Sequence, residues 1–506
     1  MTSLPFRFGS PEQFAACRRL LEDASYTEDA LLTHYHIDAL SRLLGRRTRA
    51  ASVDHPLELL TQLFVDGLFA TREQIESLLG PGSIDILTAL GLVIPSAQSQ
   101  GLWAATVMLY PRRGRYFASD RPRGVDGSAT DRMEDIVFSA LTDDTERFLD
   151  LLPDEPCESL LDLGTGAGVA ALVAAGSVGH VWAVDITERA ARFAEFNQRL
   201  NAVPNVTVLQ GDLYAPVHDL RFDRIVLHPP YVPALRQTLI YQDGGLDGQD
   251  TTRRAVTELA RHLSPGGRFY CLTLGVDSED APFEQAARQW LEPEGAAFDV
   301  AFMARQTISL GFLARSVALR SGRGAAGVAR LEEAFASLRI REFVYGGLVI
   351  QRHRAPRPGF TVRRQRSLAV GEAALPWLLR WETELASRGS EWLLDTRPVA
   401  SPTVEFVVTH RMVDGELTPI AYRMQTDQPL DMEARAAPWM GALIARCDGR
   451  VSAREHFASL KEAGAFPEQI GPDDFARVLG QLVSGGFIWI PGFEPGTRPR
   501  QSSMLV

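Results

Sequence analysis

Apolar residues recur at helical spacing over residues 14–21 and again over 57–68, so the stretch 1–125 predicts a mostly helical N-terminal domain. In its second half LELLTQLFVDGLF, TREQIESLL and GSIDILTALGLVI predict three helices and LWAATVML a strand, the order of a winged helix. Thr71 followed by Gln74 predicts a capping box on the middle helix, since each side chain can accept the other's free backbone N–H.

The pattern changes after the Gly/Ser/Asp-rich loop SDRPRGVDGSATD (119–131). From 126 to 354, short apolar runs (LLDLG, VWAVDI, VTVLQG, DRIVLH, RFYCLTL) alternate with helical ones (VAALVAAG, RAARFAEFNQRLN, TTRRAVTELARHL). Such alternation predicts an α/β domain, a mostly parallel sheet with helices on both faces. FDVAFMAR and EFVYGGLVIQRH predict the strands that close the sheet, with the loop SGRGAAG and a helix over 328–338 between them.

APRPGFTVRRQRS (355–367) predicts an irregular, locally positive lead into a third domain, 355–506. There VEFVVTHRM and PIAYRMQ predict paired strands, residues 439–446, 453–463 and 473–483 three helices, and FIWI a last strand. The result is an α+β C-terminal domain that is also winged-helix-like.

Composition, 45% hydrophobic and 23% charged, is that of an ordinary globular chain. A net charge of −11 argues against a protein that coats nucleic acid. Cys17, Cys157, Cys271 and Cys447 are scattered and histidines sparse, so neither a disulfide framework nor a metal site is expected. The weakly polar stretch 169–186 is broken by Gly176, Gly179 and His180, which predicts a helix and a buried strand and no membrane span. MTSLPFRFGSPEQF lacks the basic and apolar runs of a secretory signal, so a cytoplasmic location is expected.

Candidate chemistry sits between Leu160 and Tyr231. In LLDLGTGAGVA a strand ends at Asp162 and turns through Gly164, Thr165, Gly166 and Gly168 into a helix, where glycine allows close approach to a ligand and free amides attract an anion. Asp185 ends the next strand and can accept hydrogen bonds from both hydroxyls of a ribose, each worth roughly 1.5–3 kcal/mol. Asp212 in LQGDL follows a third strand, where it can receive an adenine amino group. In DRIVLHPPYVP a fourth strand runs into His228, Pro229, Pro230 and Tyr231, and the two prolines stiffen a turn at the sheet's carboxyl edge. The acid before the first glycine and the G-x-G-x-G spacing favour S-adenosylmethionine (SAM) over a nicotinamide cofactor.

In this order the motifs resemble the class I SAM-dependent methyltransferases, and more narrowly the HemK/PrmC-type release-factor glutamine methyltransferases. That family carries Asn-Pro-Pro-Tyr and then Gly-Gly-x-Asp-Gly; this chain has His228-Pro-Pro-Tyr231, then Gly244, Gly245, Leu246, Asp247 and Gly248. The resemblance covers about residues 130–354 and implies a Rossmann-like sheet and SAM as cofactor. It implies SAM contacts at Asp162, Gly164, Thr165, Gly166, Gly168, Asp185, Ile186, Asp212, Leu213 and His228. It places His228, Pro229 and Tyr231 at the methyl acceptor.

The function expected is methyl transfer to a nitrogen of a protein, peptide or small-molecule acceptor. A nucleic-acid base is an alternative acceptor, because a flipped base can stack on Tyr231. Against it, GSIDILTALG has no Lys or Arg and PDDFARVLGQLVSG has one Arg against two Asp, so nucleic acid is not the expected partner. His228 is the departure from the family. Asparagine only orients an acceptor, whereas an imidazole of ordinary pKa near 6.5 also takes a proton, which keeps O-methyl transfer with His228 as base open.

Overall fold

The computed structural model describes residues 4–44, 53–97, 99–122, 133–235, 240, 242–320, 324–365, 374–466 and 469–495. Most of the loop 119–131, the start of SGRGAAG and the end of APRPGFTVRRQRS, with Arg366, lie outside them. The chain opens with α1 (Pro11–Asp23), α2 (Glu28–Tyr35), α3 (Pro56–Thr61), β1 (Ala70–Thr71), α4 (Arg72–Leu79), α5 (Ser83–Ala89), β2 (Val93–Pro95), β3 (Leu102–Ala105), β4 (Met108–Arg112) and β5 (Arg115–Ser119). Next come α6 (Asp143–Leu149), β6 (Cys157–Leu163), α7 (Val169–Ala174), β7 (Val178–Asp185), α8 (Glu188–Leu200), β8 (Val206–Gln210), β9 (Phe222–Leu227), α9 (Asp250–Thr257), α10 (Leu259–His262) and β10 (Leu263–Ser278). Then follow α11 (Phe283–Gln289), β11 (Phe298–Ile308), α12 (Leu310–Arg320), α13 (Gly324–Ser337), β12 (Ile340–Arg352) and β13 (Thr361–Gln365). The last elements are α14 (Ala374–Arg388), β14 (Val399–Ala400), β15 (Glu405–Val413), β16 (Glu416–Thr426), β17 (Met432–Arg435), α15 (Pro438–Ile444), α16 (Ala453–Glu462), α17 (Pro472–Ser484) and β18 (Ile488–Trp489).

These elements form two compact units, Met1–Pro282 with Ile308–Phe343, and Phe283–Thr307 with Val344–Val506. The units meet at 282/283, 307/308 and 343/344, whereas the sequence pattern divides the chain after 125 and 354. In the first unit the strands lie in the order β10-β9-β6-β7-β8 of the chain's eight-stranded sheet, and the pairs β10–β9, β9–β6, β6–β7 and β7–β8 are all parallel. Leu160, Leu161, Val181, Val184, Ile225 and Val226 are buried in it, which is why these strands read as continuous apolar runs. From β6 the chain winds one way to β7 and β8, and from β9 the other way to β10. The switch point lies at the carboxyl ends of β6 and β9, where open α/β sheets leave a crevice.

The N-terminal residues belong to this unit because α8 carries their attachments. Asn197 and Asn201 exchange paired hydrogen bonds of 2.7–2.9 Å with the backbone of Ala118 and Tyr116, so two side chains stand in for a neighbouring strand along β5. Phe6 and Phe14 pack on Phe193 and Phe196 of the same helix. The capping box of Thr71 and Gln74 forms as the spacing predicts, with bonds of 2.9 and 3.1 Å. LWAATVML is not one strand, however. The Thr106 hydroxyl and N–H donate to Gly91 and Leu92, ending β3, and β4 then pairs with β5 around a two-residue turn, Arg113-Gly114, with φ of 46° and 73°. The regular structure of this region is still mostly helical, as expected, its five strands being short.

The second unit contains the run β13-β11-β12 and the C-terminal elements. APRPGFTVRRQRS is not an irregular positive lead: Thr361–Gln365 pairs in parallel with β11. Its three described arginines are paired, Arg357 on the buried Asp299, Arg363 on Glu284 at 2.6 Å and Arg364 on Glu382 at 2.8 Å. Helix α14, which the apolar pattern left unassigned, sends Trp377, Leu378 and Trp381 into a core shared with Leu443, Phe457, Phe475 and Leu479.

Candidate functional site

The turn after β6 is built around a buried acid. Asp162 Oδ2 accepts the Thr165 hydroxyl at 2.6 Å and the Ala171 N–H at 3.1 Å, tying the strand end to α7. Burial drives its pKa up from 3.8 to about 7, against these two hydrogen bonds. Gly164 and Gly166 have φ of 64° and 56°, and a Cβ on either would project into open space in the cleft. Gly168 differs. With φ 81°, its missing Cβ would lie 3.2 Å from Ala194 Cβ, so it serves the packing of α7 on α8 and is not in the cleft lining.

Asp185 at the end of β7 braces the same turn. Its Oδ2 accepts the Gly166 N–H at 2.9 Å and its Oδ1 the Thr187 N–H and hydroxyl at 3.0 and 3.1 Å. Its pKa is raised by burial. Ile186 beside it is 49% exposed, an apolar face turned to the cleft. Asp212 accepts Arg254 Nη2 at 2.7 Å, so the group expected to meet an adenine amine already holds a cation at the rim. Leu213 follows at φ 47° and also lines the cleft.

His228, Pro229, Pro230 and Tyr231 leave β9 across the crevice, and all four line it. The Gly244–Gly248 segment lies against the back of this turn: Gly244 N–H donates to Val232 O at 3.0 Å and Ala234 N–H to Gly245 O at 2.8 Å. A Cβ on Gly244 would stand 2.7 Å from Pro230 O, and one on Gly248, at φ 78°, 2.4 Å from Tyr231 O. Only glycine permits that approach.

The opposite wall is a segment the sequence reading did not single out. Thr142 caps α6, and Asp144, Thr145 and Phe148 from this helix face the cleft together with residues 134–140. Tyr231 donates its hydroxyl to Asp144 Oδ2 at 2.9 Å, and the His228 ring lies between Phe148 and Tyr231 at centroid distances of 5.1 and 5.8 Å. Enclosure by these rings lowers the His228 pKa from 6.5 to about 4, against the opposing effect of the Asp144 carboxylate. This corrects the expectation of a base poised near neutrality. The only sequence signal for the wall was a Thr-x-x-Thr cap followed by acids, which any helix start can carry.

Together these surfaces enclose a cleft of about 620 Å³ containing every expected site residue except Gly168. It fits SAM: an open cradle at Gly164 and Gly166, an acid at the end of β7 for the ribose, and an apolar shelf at Ile186 for the base. No cluster of three or more His, Cys, Asp or Glu suited to a metal occurs among the described residues, and no helix among them is long and apolar enough to cross a membrane.

Comparison with known proteins agrees. The methyltransferase small domain family matches residues 133–274. The ribosomal protein uL3 glutamine methyltransferase of Bradyrhizobium diazoefficiens is 34% identical over 161 residues, 29% of this chain and 50% of that protein. The release factor glutamine methyltransferase of Moorella thermoacetica is 37% identical over 142 residues, 25% and 50% of the two chains. A Methanocaldococcus jannaschii protein, provisionally named a protein N5-glutamine methyltransferase, is 31% identical over 144 residues, 27% of this chain and 72% of its own length. The chain thus spans about half the length of the first two relatives. On the match that covers most of a relative, and on a glycine turn and a Pro-Pro-Tyr turn that meet in one cleft, the chain belongs to the HemK/PrmC-like class I methyltransferases.

Proposed function

We propose that this chain transfers the methyl group of SAM to a protein nitrogen, the side-chain amide of a glutamine being the acceptor its relatives' names favour. The observation that carries the reading is the His228–Tyr231 turn, clamped from behind by Gly244–Gly248 and facing the glycine turn across one cleft. SAM supplies an electrophilic methyl on its sulfonium. Asp185 would hold the ribose hydroxyls, Gly164 and Gly166 would admit the methionine end, and Ile186, Asp212 and Leu213 would border the base.

An amide nitrogen is a weak nucleophile, so the site contributes alignment and exclusion of water. Among the described residues neither the His228 ring nor the Pro229 carbonyl has a hydrogen-bond partner. A neutral imidazole has one donor and one acceptor nitrogen. The acceptor nitrogen and the Pro229 carbonyl would each take an N–H of the substrate amide and turn its lone pair toward the methyl; as the N–C bond forms and the C–S bond breaks, the strongly acidic alkylated nitrogen gives one proton to solvent. A ring neutral down to about pH 4 is a poor general base, which argues against O-methyl transfer.

The order α3, β1, α4, α5, β2, β3 with an antiparallel sheet β1-β3-β2 supports a winged-helix-like N-terminal module, and α15 to α17 with the pair β14–β18 support a second. Since α5 (SIDILTA) has no Lys or Arg and α17 has one Arg against two Asp, these modules suit protein contacts better than duplex nucleic acid. The four cysteines are free, in keeping with the cytoplasm as the proposed location. Incubating the full chain with labelled SAM and cell extract tests the function. Label on glutamine of a protein is the expected result; label confined to nucleic acid or small molecules overturns it.

A further inference from the structure

The acceptor wall is fastened to the N-terminal β4–β5 hairpin by charge. Arg112, at the end of β4 and 2% exposed, places Nη2 2.5 Å from Glu146 Oε2 on α6. Arg113 in the adjoining turn also bonds Glu146, and reaches Asp150 at 2.6 Å, while its own N–H donates to Glu28 at 2.7 Å. The Ala140 N–H, just before the helix, donates to Tyr110 OH of the same hairpin at 2.8 Å. On the cleft side of α6, Asp144 holds the Tyr231 hydroxyl and Phe148 backs His228. Glu146 thus lies between two residues that touch the His-Pro-Pro-Tyr turn, and a buried guanidinium fixes it from the far side.

Resting on the methyl-transfer reading above, we propose that Arg112 and Glu146 are positioning residues: the N-terminal hairpin holds α6 so that Asp144 and Phe148 set Tyr231 and His228 for the acceptor. Neither residue lines the cleft, so they act through the helix. A buried arginine is costly to strand without its carboxylate, so loss of Glu146 forces α6 or the hairpin to shift.

The test uses the full chain with Glu146→Gln, Tyr231→Phe and the double variant, Glu146→Gln being nearly isosteric so that the fold is kept. The expected results are SAM affinity within about twofold of wild type and kcat/KM for the protein acceptor lowered about tenfold in each single variant. The double variant should be no worse than the poorer single, since residues in one network do not act additively. The 13C-labelled His228 ring should shift its resonance in Glu146→Gln without any acceptor present. Multiplying effects in the double variant, or an unmoved His228 resonance, overturns the proposal. If wild type methylates no protein, the function reading fails, and the resonance alone still decides the positioning.

Discussion

Replacing His228 by asparagine separates orientation from proton transfer. The enclosed ring titrates at about 4 instead of 6.5, a difference of roughly 3 kcal/mol against the imidazolium, and solvent reaching this half-buried residue makes that an upper figure. At pH 7 only about one ring in a thousand would carry the proton. An asparagine oxygen can replace the ring's acceptor nitrogen, so His228→Asn should keep kcat/KM within about tenfold. His228→Ala loses the acceptor outright, about 1–2 kcal/mol per hydrogen bond, and should fall roughly five- to thirtyfold. Stability gives a second reading. The folded pKa lies below the unfolded one, so between about pH 4 and 6.5 the unfolded chain binds more protons; the contribution is full above pH 6.5 and lost as pH falls toward 4. Initial rates with labelled SAM, and urea melts across pH, measure both. A rate limb near pH 6.5 in wild type that vanishes in His228→Asn would show the ring taking the proton and refute this reasoning.

Asp185→Ala should weaken SAM binding at least about a hundredfold by calorimetry, since two charge-assisted bonds to the ribose are lost; wild-type affinity would reject the placement. Asp162, with a folded pKa near 7 above its ordinary 3.8, should make stability fall as pH rises from about 4 to 7, because the unfolded chain gives up that proton first. Asp162→Asn should flatten that slope in melts across pH, and an unchanged slope would count against the burial effect. Gly248→Ala puts a Cβ 2.4 Å from Tyr231 O at φ 78°, so acceptor turnover should drop about tenfold or more while SAM still binds. Unchanged turnover would show that the turn needs no such clamp.

The amino-acid sequence by itself determined what depends on local spacing. Alternating apolar runs predicted β6 to β10 and the helices between them, because a strand buried on both faces admits little but apolar side chains. Asp162, Asp185, Asp212 and the His-Pro-Pro-Tyr turn were legible for the same reason: each sits at or just past the carboxyl end of such a strand, the edge where open sheets bind ligands. Tertiary structure decided what depends on distant partners. Gly168 and Gly166 look alike in the sequence, and only the approach of Ala194 separates the packing glycine from the one facing the cleft. Arg357, Arg363 and Arg364 read as part of a positive stretch until Asp299, Glu284 and Glu382, each outside that stretch, were brought to them. The same holds for His228, whose type is plain in the sequence but whose basicity is set by Phe148 and Tyr231 closing around it, an environment that exists only once α6 is docked.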